Sequence, residues 1–243
     1  MPISLSLNGE TRTITAEPLT PEAFAPFGDV LQNPRPDVHP ATNPIPEDIA
    51  SAAIRSDQVI AFKFHYPPTP QNLYPQAPSQ TPSNTSMSVF VVASSPSART
   101  SYTLGLLERH PFTSQSFIPM VTPEGCSYLV LVAPSLAPVE LGKDFSFPLQ
   151  PDEKGRTTLQ GSGLPDLTQI KAFVVSGRQA VTYGAGTWHA PMVVLGPEGT
   201  AMEFIAVQFA NGVRNEDSQE VVFGASQSGE KGSIQIRIPE EGI

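Results

Sequence analysis

Leu107-Glu108-Arg109-His110-Pro111-Phe112-Thr113-Ser114-Gln115 reads as a strand that runs into a bend at Pro111. In extended chain, alternate side chains share a face, so Glu108 and His110 point to one side. Gln115 follows a few residues beyond the bend. A second stretch, Tyr183-Gly184-Ala185-Gly186-Thr187-Trp188-His189-Ala190-Pro191, has a matching outline. It holds a strand end, a tight glycine turn, and His189 at the start of the next strand. Glutamate and histidine are good ligands for a divalent ion, and an amide oxygen can complete such a set. Glu108, His110, Gln115 and His189 are therefore a candidate metal set. The alternative is that both histidines are core or hydrogen-bonded residues of a barrel without metal. His39 lies in a Pro-rich loop, and His65 ends a strand on the surface or against a pocket.

Outward from these two stretches the chain reads as short strands punctuated by Pro and Gly. Candidate strands span 4–7, 12–15, 59–64, 87–93, 115–118, 128–132, 171–175, 180–183, 192–195, 201–209, 221–223 and 233–238. Helical signals are few. Thr20-Pro21-Glu22-Ala23-Phe24 has a cap residue, Pro at the first helical position and an early acid. Pro165-Asp166-Leu167-Thr168-Gln169-Ile170 predicts one more turn. Many short strands without strand–helix–strand alternation predict an all-β sandwich or barrel rather than a doubly wound sheet. Two Pro-rich segments, 33–46 and 67–86, interrupt the strands and predict extended loops. They are either exposed loops or insertions that line a pocket or cover an edge. Neither divides the chain into parts with separate cores, so one domain over 1–243 is expected.

Composition narrows the function. Lysine and arginine total 14 against 23 acids, a net charge of −9. That balance offers no footprint for nucleic acid and is repelled by anionic membranes. With 27 prolines in 243 residues, the composition weighs against a coiled coil or helical bundle. One cysteine, Cys126, excludes an internal disulfide and a multi-cysteine zinc site. It is expected to be a small, buried or half-buried residue rather than a nucleophile. No signal-like segment and no long apolar run stand in the chain, so an intracellular, cytoplasmic protein is expected.

The two stretches resemble the paired motifs of the cupin superfamily. The usual first motif is His-x-His followed by Glu; this chain has Glu108-x-His110 followed by Gln115. The usual second motif is Pro-x-Gly-x-x-His followed by Asn. This chain has Gly184-Ala185-Gly186-Thr187-Trp188-His189, with Val193 in the place of the Asn. A more specific resemblance is to the ureidoglycolate lyase family, in its fungal form. It is carried by Leu107 to Pro111 with Gln115 to Met120, by Pro165 to Thr168 with Lys171 to Phe173, and by Gly177 to Met192. Leu19-Thr20-Pro21-Glu22-Ala23-Phe24-Ala25-Pro26-Phe27-Gly28-Asp29-Val30 belongs with them.

This resemblance implies a cupin-like double-stranded β-helix, a jelly-roll barrel with a few short helices. It implies cleavage of ureidoglycolate to glyoxylate and urea in allantoin and purine degradation, and a homodimer. Ureidoglycolate carries a hydroxyl, a urea nitrogen and a carboxylate on one carbon. Cleavage needs loss of the hydroxyl proton, scission of C–N and protonation of urea, with no nucleotide or organic cofactor. Glu108, His110, His189 and Tyr183 are the candidate catalytic groups, as acid–base residues or around a divalent ion of unassigned identity. Lys171, Gln115 and Trp188 are the candidate substrate contacts, with strand-face exposure or core packing as the competing roles. Arg109 alternates away from Glu108 and His110 and is a weaker candidate. A non-catalytic or differently specific small-molecule-binding cupin is the alternative function.

Overall fold

The computed structural model describes residues 2–7, 9–66, 70–136, 163–224 and 232–239. Its strands, in chain order, are β1 (Ile3–Ser6), β2 (Thr11–Thr15), β3 (Glu17–Pro18), β4 (Gly28–Leu31), β5 (Ala53–Arg55) and β6 (Ile60–Phe62). Then come β7 (Asn84–Ala93), β8 (Ser101–Leu104), β9 (Leu106–Arg109), β10 (Gln115–Val121), β11 (Ser127–Ala133) and β12 (Lys171–Ser176). The last are β13 (Ala180–Tyr183), β14 (Trp188–His189), β15 (Val193–Leu195), β16 (Ala201–Ala210), β17 (Gln219–Gly224) and β18 (Ser233–Arg237). The helices α1 (Pro21–Phe24) and α2 (Arg214–Asp217) are one turn each.

The expected all-β, cupin-like architecture is present, and it is layered. The main sheet runs β1-β17-β9-β14-β11-β12-β3, with β15 also paired to β11. A second sheet runs β4-β13-β10-β16-β7, and a third runs β2-β18-β8. Strand β11, Ser-Tyr-Leu-Val-Leu-Val-Ala, is buried at all seven positions. It does not alternate because both of its faces are covered. Tyr128, Val130 and Val132 pack with Val30, Phe117, Val181, Tyr183 and Phe204 of the second sheet. Leu129, Leu131 and Ala133 pack on the other side with Leu104, Ile234 and Ile236 of the third. The main sheet is thus the middle layer of three.

The local expectations hold where the side chains explain them. Thr20 caps α1 by accepting from the Ala23 amide, and Phe24 is driven fully into the core. Asp166 caps the tight turn Leu167–Gln169 through the Thr168 amide. Strands β3, β4, β5 and β8 lie outside the predicted set; each is four residues or shorter. The segment 33–46 is loop. In the other Pro-rich segment, 67–69 lie outside the described residues, 84–86 are the start of β7 rather than loop, and residues 70–83 are not a bare exposed loop. Tyr74 and Ala77 are buried there against Phe112. Cys126 is half-buried, with its thiol donating to the Thr200 hydroxyl.

Candidate active site

Two sheets deliver the site. Strands β9 and β14 of the main sheet pair with His189 directly opposite Glu108, so these side chains emerge on one face. His110 follows β9 at the bend. Strands β10 and β13 of the second sheet place Gln115 opposite Tyr183. The two bends are tied together, since the Gly186 amide donates to the His110 carbonyl. Gly186 has φ of +82°, a left-handed conformation that glycine adopts without cost. The sheets converge here, at one end of the core they share.

The ligand atoms of Glu108, His110 and His189 all lie within 4.8 Å of one another. His189 Nε2 is 3.7 Å from Glu108 Oε1 and 3.1 Å from Gln115 Oε1. Each histidine has its other ring nitrogen against a backbone carbonyl. His110 Nδ1 is 2.7 Å from the Asp217 oxygen, and His189 Nδ1 is 3.0 Å from the Thr187 oxygen. A carbonyl only accepts, so both rings donate from Nδ1, and the neutral form of each turns a lone pair on Nε2 toward the cluster. His110 Nε2 is buried without a hydrogen-bond partner among the described residues. The Gln115 amide nitrogen donates to Gln208 Oε1, which leaves Gln115 Oε1 facing the His189 lone pair. A divalent cation fits this donor set: two neutral imidazoles, one carboxylate and one amide oxygen.

Burial shapes the electrostatics. It pushes the His189 pKa down to about 3, and His110 adds to the fall. His189 is therefore neutral at physiological pH, as a ligand must be. Burial also raises the Glu108 pKa; His110 opposes that rise, and the charge of Glu220 adds to it. Glu220 pairs with Glu108 in register on β17 and so lies on the same face. Glu108 keeps 24% of its side chain exposed, against 1% for His189, so the cluster opens to solvent on the Glu108 side.

The remaining predicted residues fall into two groups. Tyr183 is in the site. Its ring stacks on His189 at 4.0 Å, and its buried hydroxyl has no hydrogen-bond partner among the described residues. Trp188 and Arg109 point the other way. Trp188 packs in the core shared with the third sheet and donates to the Gly163 carbonyl, and the Arg109 guanidinium lies 4.6 Å over its ring. Arg109 also donates to Gln219, Ser135 and the Gly163 carbonyl. Burial draws its pKa down to about 9, still charged at neutral pH. Trp188 therefore stands behind the site and not on its wall, because neighbours along a strand alternate faces. Lys171 is exposed at the start of β12, two strands from His189 through Val132, about 10 Å by strand spacing. It lies outside the cluster. A polar cleft of about 180 Å³ opens beside the Gly184 turn, lined by Asp29, Gln71, Ser114 and Thr187 among others; none of the three cluster residues lines it. Among the described residues no helix is long and apolar enough to cross a membrane.

The chain is similar to known proteins over most of its length. A family model described as ureidoglycolate lyase matches residues 11–228. A Schizosaccharomyces pombe protein named ureidoglycolate lyase is 33% identical over 226 residues, covering 86% of this chain and 91% of that protein. A Pseudomonas fluorescens (strain Pf0-1) protein of the same name is 31% identical over 184 residues, covering 76% of this chain and 78% of that protein. A Saccharomyces cerevisiae protein of that name is 40% identical over 99 residues, covering 40% and 38%.

Proposed function

The chain belongs to the ureidoglycolate lyase family, and we propose on that footing that it cleaves ureidoglycolate to glyoxylate and urea around a divalent ion. The observation that carries this reading is the convergence of His110 Nε2, His189 Nε2, the Glu108 carboxylate and Gln115 Oε1. Those four groups would hold the ion. Bound there, it would supply a Lewis acid for the substrate hydroxyl and carboxylate. With one formal negative charge among the four groups, the loaded site stays net positive and draws an anionic substrate.

The chain's own groups do the rest. Glu108 keeps part of its carboxylate open to solvent, where a substrate hydroxyl can reach it. It takes the hydroxyl proton as the carbonyl of glyoxylate forms. The C–N electron pair leaves with the urea nitrogen, which collects one proton. Glu108 can return that proton, or the Tyr183 phenol can donate one and be reprotonated from Glu108. Burial raises the Tyr183 pKa well above its ordinary value, so the phenol stays a donor. His189, neutral throughout, positions and does not donate. Reactants and products balance without water or hydride.

The same reading includes a single domain acting in the cytoplasm, as a homodimer. The second sheet supports pairing of two copies. Its edge strand β7 shows Met87, Val89 and Val91 to solvent on one face, and Ile118 continues that face across β16. An apolar face beside a strand edge that has no partner strand among the described residues is an interface in waiting. The experiment is a product assay on racemic ureidoglycolate before and after chelation. Equal urea and glyoxylate, lost on chelation and restored by one ion, is the expected result. Equal release that survives chelation removes the ion from the reading and leaves the acid–base residues. Ammonia in place of urea, or no release, overturns the lyase.

A further inference from the structure

We propose that residues 70–83 of the Pro-rich insertion act as a positioning strap, in which Tyr74 fixes the ring tautomer of His110 by holding the Asp217 turn. The proposal rests on the metal-assisted reading of the site for its consequence, though not for its geometry.

Among the described residues the His110 ring makes one hydrogen bond, 2.7 Å from Nδ1 to the Asp217 carbonyl, besides its tilted ring contact with His189. Asp217 ends the single turn of α2, a helix too short to hold its own place. Its place is set from outside. The Asp217 carboxylate accepts from the Asn211 and Gly212 amides, each at 2.8 Å, and from the Tyr74 hydroxyl at 2.6 Å. The neighbouring Glu216 carboxylate accepts from the Ser79 amide at 2.8 Å, the Ser79 hydroxyl at 2.7 Å and Asn211 Nδ2 at 2.7 Å. Two residues of the insertion thus grip two consecutive acids of α2. Tyr74 is 1% exposed, with its ring packed against Phe112, two residues past His110.

The same segment also binds both motif bends. The Leu73 amide donates to the Phe112 carbonyl, and the Ser114 amide to the Gln71 carbonyl. The Gln71 side chain accepts from the Ala185 amide in the glycine turn that leads to His189. Loosening the Tyr74–Asp217 bond lets the Asp217 carbonyl shift. Once that acceptor moves, nothing holds the proton on Nδ1, and an Nε2–H tautomer presents no lone pair to an ion. Tyr74 is a positioning residue: it acts on the site through Asp217 and His110.

The test uses the full chain with Tyr74→Phe, which keeps the ring against Phe112 and removes only the hydroxyl. The first readout is the ¹H–¹⁵N long-range correlation of the His110 imidazole in metal-free protein, assigned by its loss in His110→Gln. The wild type is expected to show Nδ1–H alone, and Tyr74→Phe a mixture with Nε2–H. The second readout is Co²⁺ affinity, expected to fall about 10-fold, as loss of an outer hydrogen-bond partner commonly does. Ser79→Ala, which leaves Tyr74 in place, is expected to move both readouts the same way by less, and it carries the test if Tyr74→Phe does not fold. A His110 that lacks the Nδ1–H tautomer in the wild type overturns the proposal. So does an unchanged tautomer in the variants, even with a lowered Tm. If the wild type binds no Co²⁺, the tautomer alone decides. A variant tautomer shift in a protein that releases no urea fails the lyase reading and leaves this one standing.

Discussion

Tyr183 and His189 lie face to face, ring centroids 4.0 Å apart and planes 10° from parallel. The two residues come from different sheets, so this stack pins the second sheet to the main sheet at the site. It fixes the plane of the His189 ring, while the Thr187 carbonyl fixes its rotation. Tyr183→Phe keeps the stack and deletes the hydroxyl. If that hydroxyl protonates urea, kcat falls by about 10²-fold with KM nearly unchanged. A kcat within two-fold of the wild type would make Tyr183 a packing residue only.

Gln115 stands where a carboxylate would give a stronger ligand set. Gln115→Glu adds a second negative charge beside His189. Cation affinity is expected to rise, read by competition with a chelating dye. The net positive charge of the loaded site is cancelled at the same time, so KM for the anionic substrate is expected to increase. A fall in both would show that Gln115 does not face the ion.

Glu108 must be ionised to hold a cation. Its folded pKa is raised, first by burial and then by Glu220, so its ionised form is lost at a higher pH than for an exposed glutamate. Cation uptake should therefore fail on acidification above the ordinary glutamate pKa of about 4.3. Glu220→Gln removes one raising cause, and the acid limb should move to lower pH. An unmoved limb would mean that Glu220 does not act on Glu108.

Val89 sits on the exposed face of the second sheet, opposite Ile205 and in line with Ile118. Val89→Lys places a charge in that apolar face and, at the proposed interface, one beside its own copy. Sedimentation velocity is expected to show a dimer becoming a monomer, with the fold retained. A wild-type monomer, or a variant that still dimerises, would move the interface elsewhere.

Much of this site could be read from local pattern. The alternation at Glu108 and His110, and the glycine turn before His189, put three candidate ligands in place. The unbroken apolar run from Tyr128 to Ala133 marked a strand, and its burial on both faces is why it lacks alternation. The same alternation that joined Glu108 to His110 also sends Trp188 away from His189, a signal present in the chain. Glu220 and Asp217 left no such trace. They lie more than 100 residues beyond His110, and only the β17–β9 register and the α2 turn bring them back. Within the insertion at 67–86, residues 70–83 were legible as loop from their prolines, while 84–86 join β7. The insertion's grip on Glu216 and Asp217 depends on tertiary contacts that no local pattern encodes.

Strand β11 is greasy on both sides, and its outer cover includes β18, roughly 100 residues later in the chain. At a synthesis rate of about 5–20 residues per second, that interval lasts about 5–20 s. Throughout it, Tyr-Leu-Val-Leu-Val-Ala is a nascent segment whose outer layer has not yet emerged from the ribosome. Holding this one strand out of wrong company is therefore a problem for the cell before it is one for the finished enzyme. The yield of active protein should follow chaperone supply more closely than it follows the thermal stability of the folded state.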